Sequence, residues 1–171
     1  NEPSFNLSPQ DQDSVLKRLR KFYHDAKQHN SLTQASIFQT AVSRFATRIG
    51  LNSAEKAILE FTLQLHQERL LDDVTEWLGP LTSAKVYRTL AMTLDITETE
   101  VREALGPSST LTKTGLVSLE MNGAHLLRNK LEPFSPTLAE RIYAGETSPS
   151  RLLQGTINIC GPAHLKLVNY A

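Results

Sequence analysis

Between Gly79 and Val86 the chain comes nearest to a phosphate-cradling loop, with Lys85 in the place of a lysine that would reach the phosphates. Such a loop needs glycines that let the backbone close on the phosphates and a hydroxyl for magnesium. Here Ala84 stands for the second glycine, Val86 stands for the hydroxyl and no strand leads in, so Lys85 reads as a solvated helix residue. His24, His29, His66, His125 and His164 are scattered, and none belongs to a His-Glu-x-x-His pair that would put two ligands on one helix face. The single Cys160 can form no internal disulfide, and burial beside Ile157 and Ile159 would disfavour its thiolate. No Gly-x-Ser-x-Gly elbow is present. These residues predict no catalytic, metal-binding or cofactor-binding centre within the chain.

Charge offers two candidate interaction surfaces instead. Lys17, Arg18, Arg20 and Lys21 fall opposite an apolar stripe, where they could meet phosphates, acidic lipid or an acidic protein, or simply face water. Glu68, Asp72 and Glu76 recur every four residues, with Asp73 beside them, and like charges at that spacing cost about 0.2–0.5 kcal/mol per pair unless a cation sits nearby. Residues 51–79 hold six acidic and two basic side chains, whereas residues 1–50 hold seven basic and four acidic ones. The two surfaces are therefore expected to meet, either within the bundle or between neighbouring subunits of a ring, with a solvated surface as the plain alternative.

The elements that carry these residues are legible from periodicity. Ser8-Pro9 opens a first helix, with Asp11 at its positive end and Val15, Leu16, Leu19, Phe22, Tyr23 and Ala26 on one side. After Asn30-Ser31 a second helix carries Ile37, Phe38, Ala41, Val42, Phe45, Ala46 and Ile49 and ends at Gly50. Asn52 with Glu55 is a capping box for a third, whose Ile58, Phe61, Thr62 and Leu65 face inward. A fourth carries Leu70, Leu71, Val74, Trp77 and Leu78 and stops at Gly79-Pro80. Beyond it, Val86, Tyr87, Leu90, Ala91 and Leu94 form a helical face, Asp95-Ile96 turns the chain, and Thr97 with Glu100 caps a short helix holding Val101 and Leu105. Asp95 stands where glycine is usual, but aspartate can also accept a left-handed backbone there. Gly106-Pro107 opens a polar stretch leading to Gly115. Asn122-Gly123, set between Val117–Met121 and Leu126–Leu131, predicts a two-residue hairpin. Ser135-Pro136 and Ser148-Pro149 open two more short helices, closing near Gly145 and Gly155, and the stretch around Gly161-Pro162 reads as a connector.

The expected fold class is mainly α: an N-terminal helical bundle over 1–79, a winged-helix-like unit with one β-hairpin over 80–132, short helices over 133–156, and a connector over 157–171 leading to a missing downstream domain. A chain of 171 residues can accommodate two small cores. The balance of 18 basic against 18 acidic residues removes the global cationic pull of most nucleic-acid binders. No apolar run approaches the ~20 residues that span a bilayer, and the first residues lack a signal-peptide pattern, which predicts a cytoplasmic protein without a membrane role.

The passages Ile49-Gly-Leu-Asn-Ser-Ala-Glu-Lys-Ala-Ile-Leu59, Leu94-Asp-Ile-Thr-Glu-Thr-Glu-Val101 and Leu111-Thr-Lys-Thr-Gly-Leu-Val117 resemble the region ahead of the motor in certain bacterial AAA+ family ATPases. The resemblance covers roughly residues 49–155, and Asp95 departs from the glycine usual there. It implies a non-catalytic accessory region that positions protein partners, substrates or neighbouring subunits. The parent protein would be the ATPase, with ATP and magnesium held by a domain downstream of Ala171. The alternative is a winged-helix DNA-binding transcriptional regulator. DNA is the disfavoured partner, because the helix from Thr97 exposes Glu98, Glu100 and Glu103 against Arg102 alone. Lys113, Arg128 and Lys130 of the expected wing lend that alternative some support.

Overall fold

The computed structural model describes residues 9–29 and 34–153. The expected Ser8 cap, the Asn30-Ser31 break, the helix end near Gly155 and the connector with Cys160 and His164 lie outside them. Helix α1 (Pro9–His29) buries Leu16, Leu19 and Tyr23, as its periodicity requires. Helix α2 (Gln34–Ile49) buries Phe38, Ala41, Val42, Phe45 and Ala46. Gly50 ends it at φ 76°, where the Leu51 amide donates to the Ala46 carbonyl (2.9 Å) and the Gly50 amide to the Thr47 carbonyl (3.4 Å). That double closure needs a left-handed residue, which glycine adopts without strain. Ile37, expected on the buried stripe, is exposed instead, because it lies at the edge of the stripe beside the turn at Gly145.

Helix α3 (Ser53–Gln67) is the centre of the fold. Ile58, Leu59, Phe61, Thr62, Leu63 and Leu65 are all fully buried, more than one face of a helix, because neighbours pack around it. Each such apolar side chain contributes about 1.5–3 kcal/mol by leaving water. Its capping box forms as expected: the Asn52 amide donates to Glu55 Oε2 and the Glu55 amide to Asn52 Oδ1, both at 2.8 Å.

Helix α4 (Arg69–Glu76) follows after one extended residue, Glu68. Leu71, Thr75 and Leu78 face the core, but Leu70 and Trp77, of the same apolar set, are exposed. At 100° per residue, positions 71, 75 and 78 share one side while 70 and 77 share another. Among the described residues, core lies on one side of this short helix alone.

Helix α5 (Ser83–Leu94) buries Val86 and Leu90 and ends at Asp95, whose φ of 60° and ψ of 43° are left-handed, as anticipated. Helix α6 (Glu98–Ala104) starts from the expected Thr97–Glu100 box and buries Val101. The stretch after Gly106 holds one unanticipated helical turn, α7 (Thr110–Lys113), whose Leu111 is fully buried.

Strand β1 (Val117–Leu119) then pairs antiparallel with β2 (Leu131–Pro133), in the register Val117↔Pro133 and Leu119↔Leu131. The pairing is a hairpin, but not the two-residue one expected at Asn122-Gly123. Residues expected in the second strand form a helical turn, α8 (Leu127–Lys130), which buries Leu127 and Lys130 three positions apart. The connecting segment pairs elsewhere: the Leu81 amide donates to the His125 carbonyl (2.8 Å) and the His125 amide to the Leu81 carbonyl (3.2 Å).

Helices α9 (Pro136–Tyr143) and α10 (Pro149–Leu152) complete the described residues. Helix α9 returns to pack on α2 and α3, and α1 packs on α5. One cluster of buried side chains thus runs from Leu16 through Phe61, Leu90, Leu111 and Leu131 to Ile142. Among the described residues no helix is long and apolar enough to cross a membrane.

Candidate interaction surfaces

On α1, Lys17, Arg18 and Lys21 are exposed. Arg20 reaches across to the C-terminal cap of α5, its Nη2 lying 2.7 Å from Asp95 Oδ1. Of the acidic set, Glu68 accepts the Tyr143 hydroxyl at 3.3 Å. Asp72 Oδ2 receives Arg128 Nη1 at 2.8 Å, and Glu76 is exposed. Among the described residues no ion pair joins Lys17, Arg18, Arg20 or Lys21 to Glu68, Asp72 or Glu76. The structure gives Arg20, Glu68 and Asp72 other partners within the molecule.

Arg128 and Lys130 are tied inward. Arg128 donates from Nη1 to the Leu65 carbonyl (3.3 Å) and from Nη2 to the His66 carbonyl (3.4 Å), besides its contact with Asp72. Those carbonyls close the last turn of α3, where a guanidinium meets both free acceptors and the negative end of the helix. Lys130 is fully buried, and its Nζ donates to the carbonyls of Glu120 (2.6 Å) and Asn122 (2.9 Å). A buried ammonium persists only when such acceptors replace its water. Lys113 alone of the three expected wing cations is exposed.

Helix α6 presents Glu98, Glu100 and Glu103 outward. Its one cation, Arg102, donates to Glu98 at 2.6 Å and stacks 4.4 Å from the Tyr87 ring centroid. The Thr97 backbone amide, then its hydroxyl, hold the Glu100 carboxyl below the usual glutamate range.

Two internal arrangements were not anticipated from sequence. Glu55 does more than cap its own helix: its Oε1 also accepts the amides of Thr110 (2.7 Å) and Leu111 (3.2 Å), fastening α7 onto α3. Tyr23 meets Phe61 edge to face at 5.4 Å, and Tyr143 stacks on Phe38 at 4.2 Å, bracing α1 against α3 and α9 against α2. Burial, reinforced by Glu60, pushes the Tyr23 phenol far above its ordinary range, and burial followed by Glu68 does the same for Tyr143. Both stay neutral. The capping motif announced half of Glu55's role; nothing in sequence announced the rest.

A cleft of about 130 Å³ between α1 and α5 is floored by Leu16, Leu78 and Leu81 and walled by Lys85 and the Asp13–Arg88 ion pair (3.2 Å). Lys85 lies in the first turn of α5, as a helix residue. His66 Nε2 lies 2.7 Å from the Leu131 carbonyl, and among the described residues no three His, Cys, Asp or Glu side chains converge as metal ligands would. Comparison with protein-family models, with curated proteins and with solved structures returned no match.

Proposed function

We propose that this chain is a non-catalytic interaction region, the accessory segment of an AAA+ ATPase, which positions protein partners or substrates in the cytoplasm for a downstream module that hydrolyses ATP. On this reading α5, the turn at Asp95, α6 and the β1–β2 pair form a winged helix that docks protein. ATP and magnesium belong to the downstream module, and no residue here is assigned to them.

One observation supports docking of protein over DNA. Two of the three wing cations, Arg128 and Lys130, are spent on carbonyls and a carboxylate of the chain itself. Duplex binding draws its affinity from lysine and arginine that neutralise phosphates, and an outward row of Glu98, Glu100 and Glu103 repels them. The competing reading, a DNA-binding regulator, is favoured only by the α5–turn–α6 geometry.

Fluorescence anisotropy of labelled duplex DNA separates the two. A true duplex binder making 6–10 phosphate contacts loses about 10³–10⁵ in affinity between 50 and 200 mM salt. The expected result is no saturable binding at either salt, and binding that weakens steeply with salt would overturn the docking proposal. For the ATPase parentage, the codons that follow Ala171 in the gene should encode a strand and a phosphate loop; a stop codon there refutes it.

A further inference from the structure

Among the described residues, one side of helix α4 has no intramolecular partner. Leu70 is 67% exposed and Trp77 58% exposed. Seven residues apart, they share the outward side of α4, with half-buried Val74 between them. Large apolar side chains held together in water mark a contact surface, and tryptophan is among the residues enriched at the energetic centres of interfaces.

The rim of this side is acidic. Glu76 is exposed with no cation paired to it among the described residues, and Asp73 has only Arg69, at 3.9 Å. Helix α1, packed directly on α4, bears the opposite charge: Lys17, Arg18 and Lys21 are exposed, and no ion pair engages them among the described residues.

We infer that the Leu70–Trp77 side of α4 docks the Lys17–Lys21 face of α1 from a second copy of this chain, in a two-fold pair. Helices α1 and α4 pack against each other within one molecule, so each copy carries both an acidic-apolar strip and a basic strip. A two-fold rotation then sets each strip against its opposite on the partner. Lys17 and Lys21 are four residues apart and Asp73 and Glu76 three, both about 5–6 Å on a helix surface, so the charges match in pitch. The Trp77 ring offers a face to Arg18, and the lysine stems cover Leu70. The inference rests on the docking proposal above and names its partner.

Trp77 is the chain's only tryptophan, so its emission reports the site directly. The test is sedimentation velocity together with tryptophan emission, from about 1 to about 200 µM protein at 50 and 500 mM salt. A dimer with blue-shifted emission is expected at 50 mM, with a dissociation constant at least tenfold weaker at 500 mM as screening shortens. Lys17→Glu with Lys21→Glu should abolish the dimer over this range, and adding Asp73→Lys with Glu76→Lys should restore it. Trp77→Ala should weaken it at least tenfold; all these positions are exposed, and circular dichroism checks that each variant folds. A monomer at every concentration, or a dimer indifferent to charge reversal, overturns the inference. A strict monomer that also fails to bind duplex DNA leaves the docking proposal standing without this partner.

Discussion

Truncating Glu55 to alanine removes one carboxylate that serves three backbone amides: Asn52 at 2.8 Å, Thr110 at 2.7 Å and Leu111 at 3.2 Å. Glu55 is 3% exposed, so water does not readily replace it. Hydrogen bonds to a charged group are worth about 1.5–3 kcal/mol each, and a buried donor left without a partner costs about 1–3 kcal/mol. Simple addition would overshoot, because the Asn52 and Thr110 amides are only partly buried and regain some solvent once the carboxylate is gone. A loss of about 3–5 kcal/mol is the expected outcome, against a total of about 5–15 kcal/mol for a domain. With a urea slope of about 2 kcal/mol per molar, the midpoint should fall by about 2 M with the slope unchanged. Glu55→Gln, which keeps one acceptor oxygen but turns an amide donor toward backbone donors, should fall between. The control is Glu100→Ala, which breaks the same box motif at an exposed helix start. If Glu55→Ala shifts the urea midpoint no further than Glu100→Ala does, α7 is not held by this carboxylate and the reasoning is wrong.

Lys130→Met keeps the buried stem but strips the Glu120 and Asn122 carbonyls of their donor. It should cost about 2–3 kcal/mol and speed amide exchange in β1 and β2, both checked by denaturation and exchange measurements. Glu100 and Glu146 should titrate below the ordinary glutamate value of 4.5 in carboxyl-detected NMR. The Thr97 amide and hydroxyl cause the first shift; the amides of Ser148 and Thr147, with Arg151, cause the second. Because their folded-state values are depressed, the stabilisation is present above the unfolded value and is lost as pH falls through the folded one, below 4.5. Thr97→Ala should return Glu100 part of the way up and leave Glu146 unmoved.

Local rules were legible in the sequence where the physics is local. The boxes at Asn52–Glu55 and Thr97–Glu100 and the glycine end at Gly50 involve residues a few positions apart, and each forms. Asp95 was legible for the same reason: its left-handed φ is set by the turn it makes. Burial depends on what lies opposite. Leu70 and Trp77 fitted an apolar pattern as well as Leu71 and Leu78 did, and only the absence of core on their side of α4 separates them. The two-residue turn failed likewise, although a hairpin forms. Asn122-Gly123 has the chemistry of a tight turn, but pairing of His125 with Leu81 and the anchoring of Lys130 outweigh it. Arg128 and Lys130 looked like wing cations because nothing nearby in sequence shows that their acceptors lie at Leu65, His66 and Glu120.

The return of α9 onto α2 and α3 has a consequence for the order in which the chain can mature. A ribosome adding about 5–20 residues per second needs roughly 3–14 s to pass from Gln67 to Pro136. Throughout that interval the surfaces of α2 and α3 that will lie under Leu138 and Ile142 have no cover. A nascent chain halted before α9 therefore presents a greasy groove on α2 and α3, and holding chaperones should engage it there until α9 emerges.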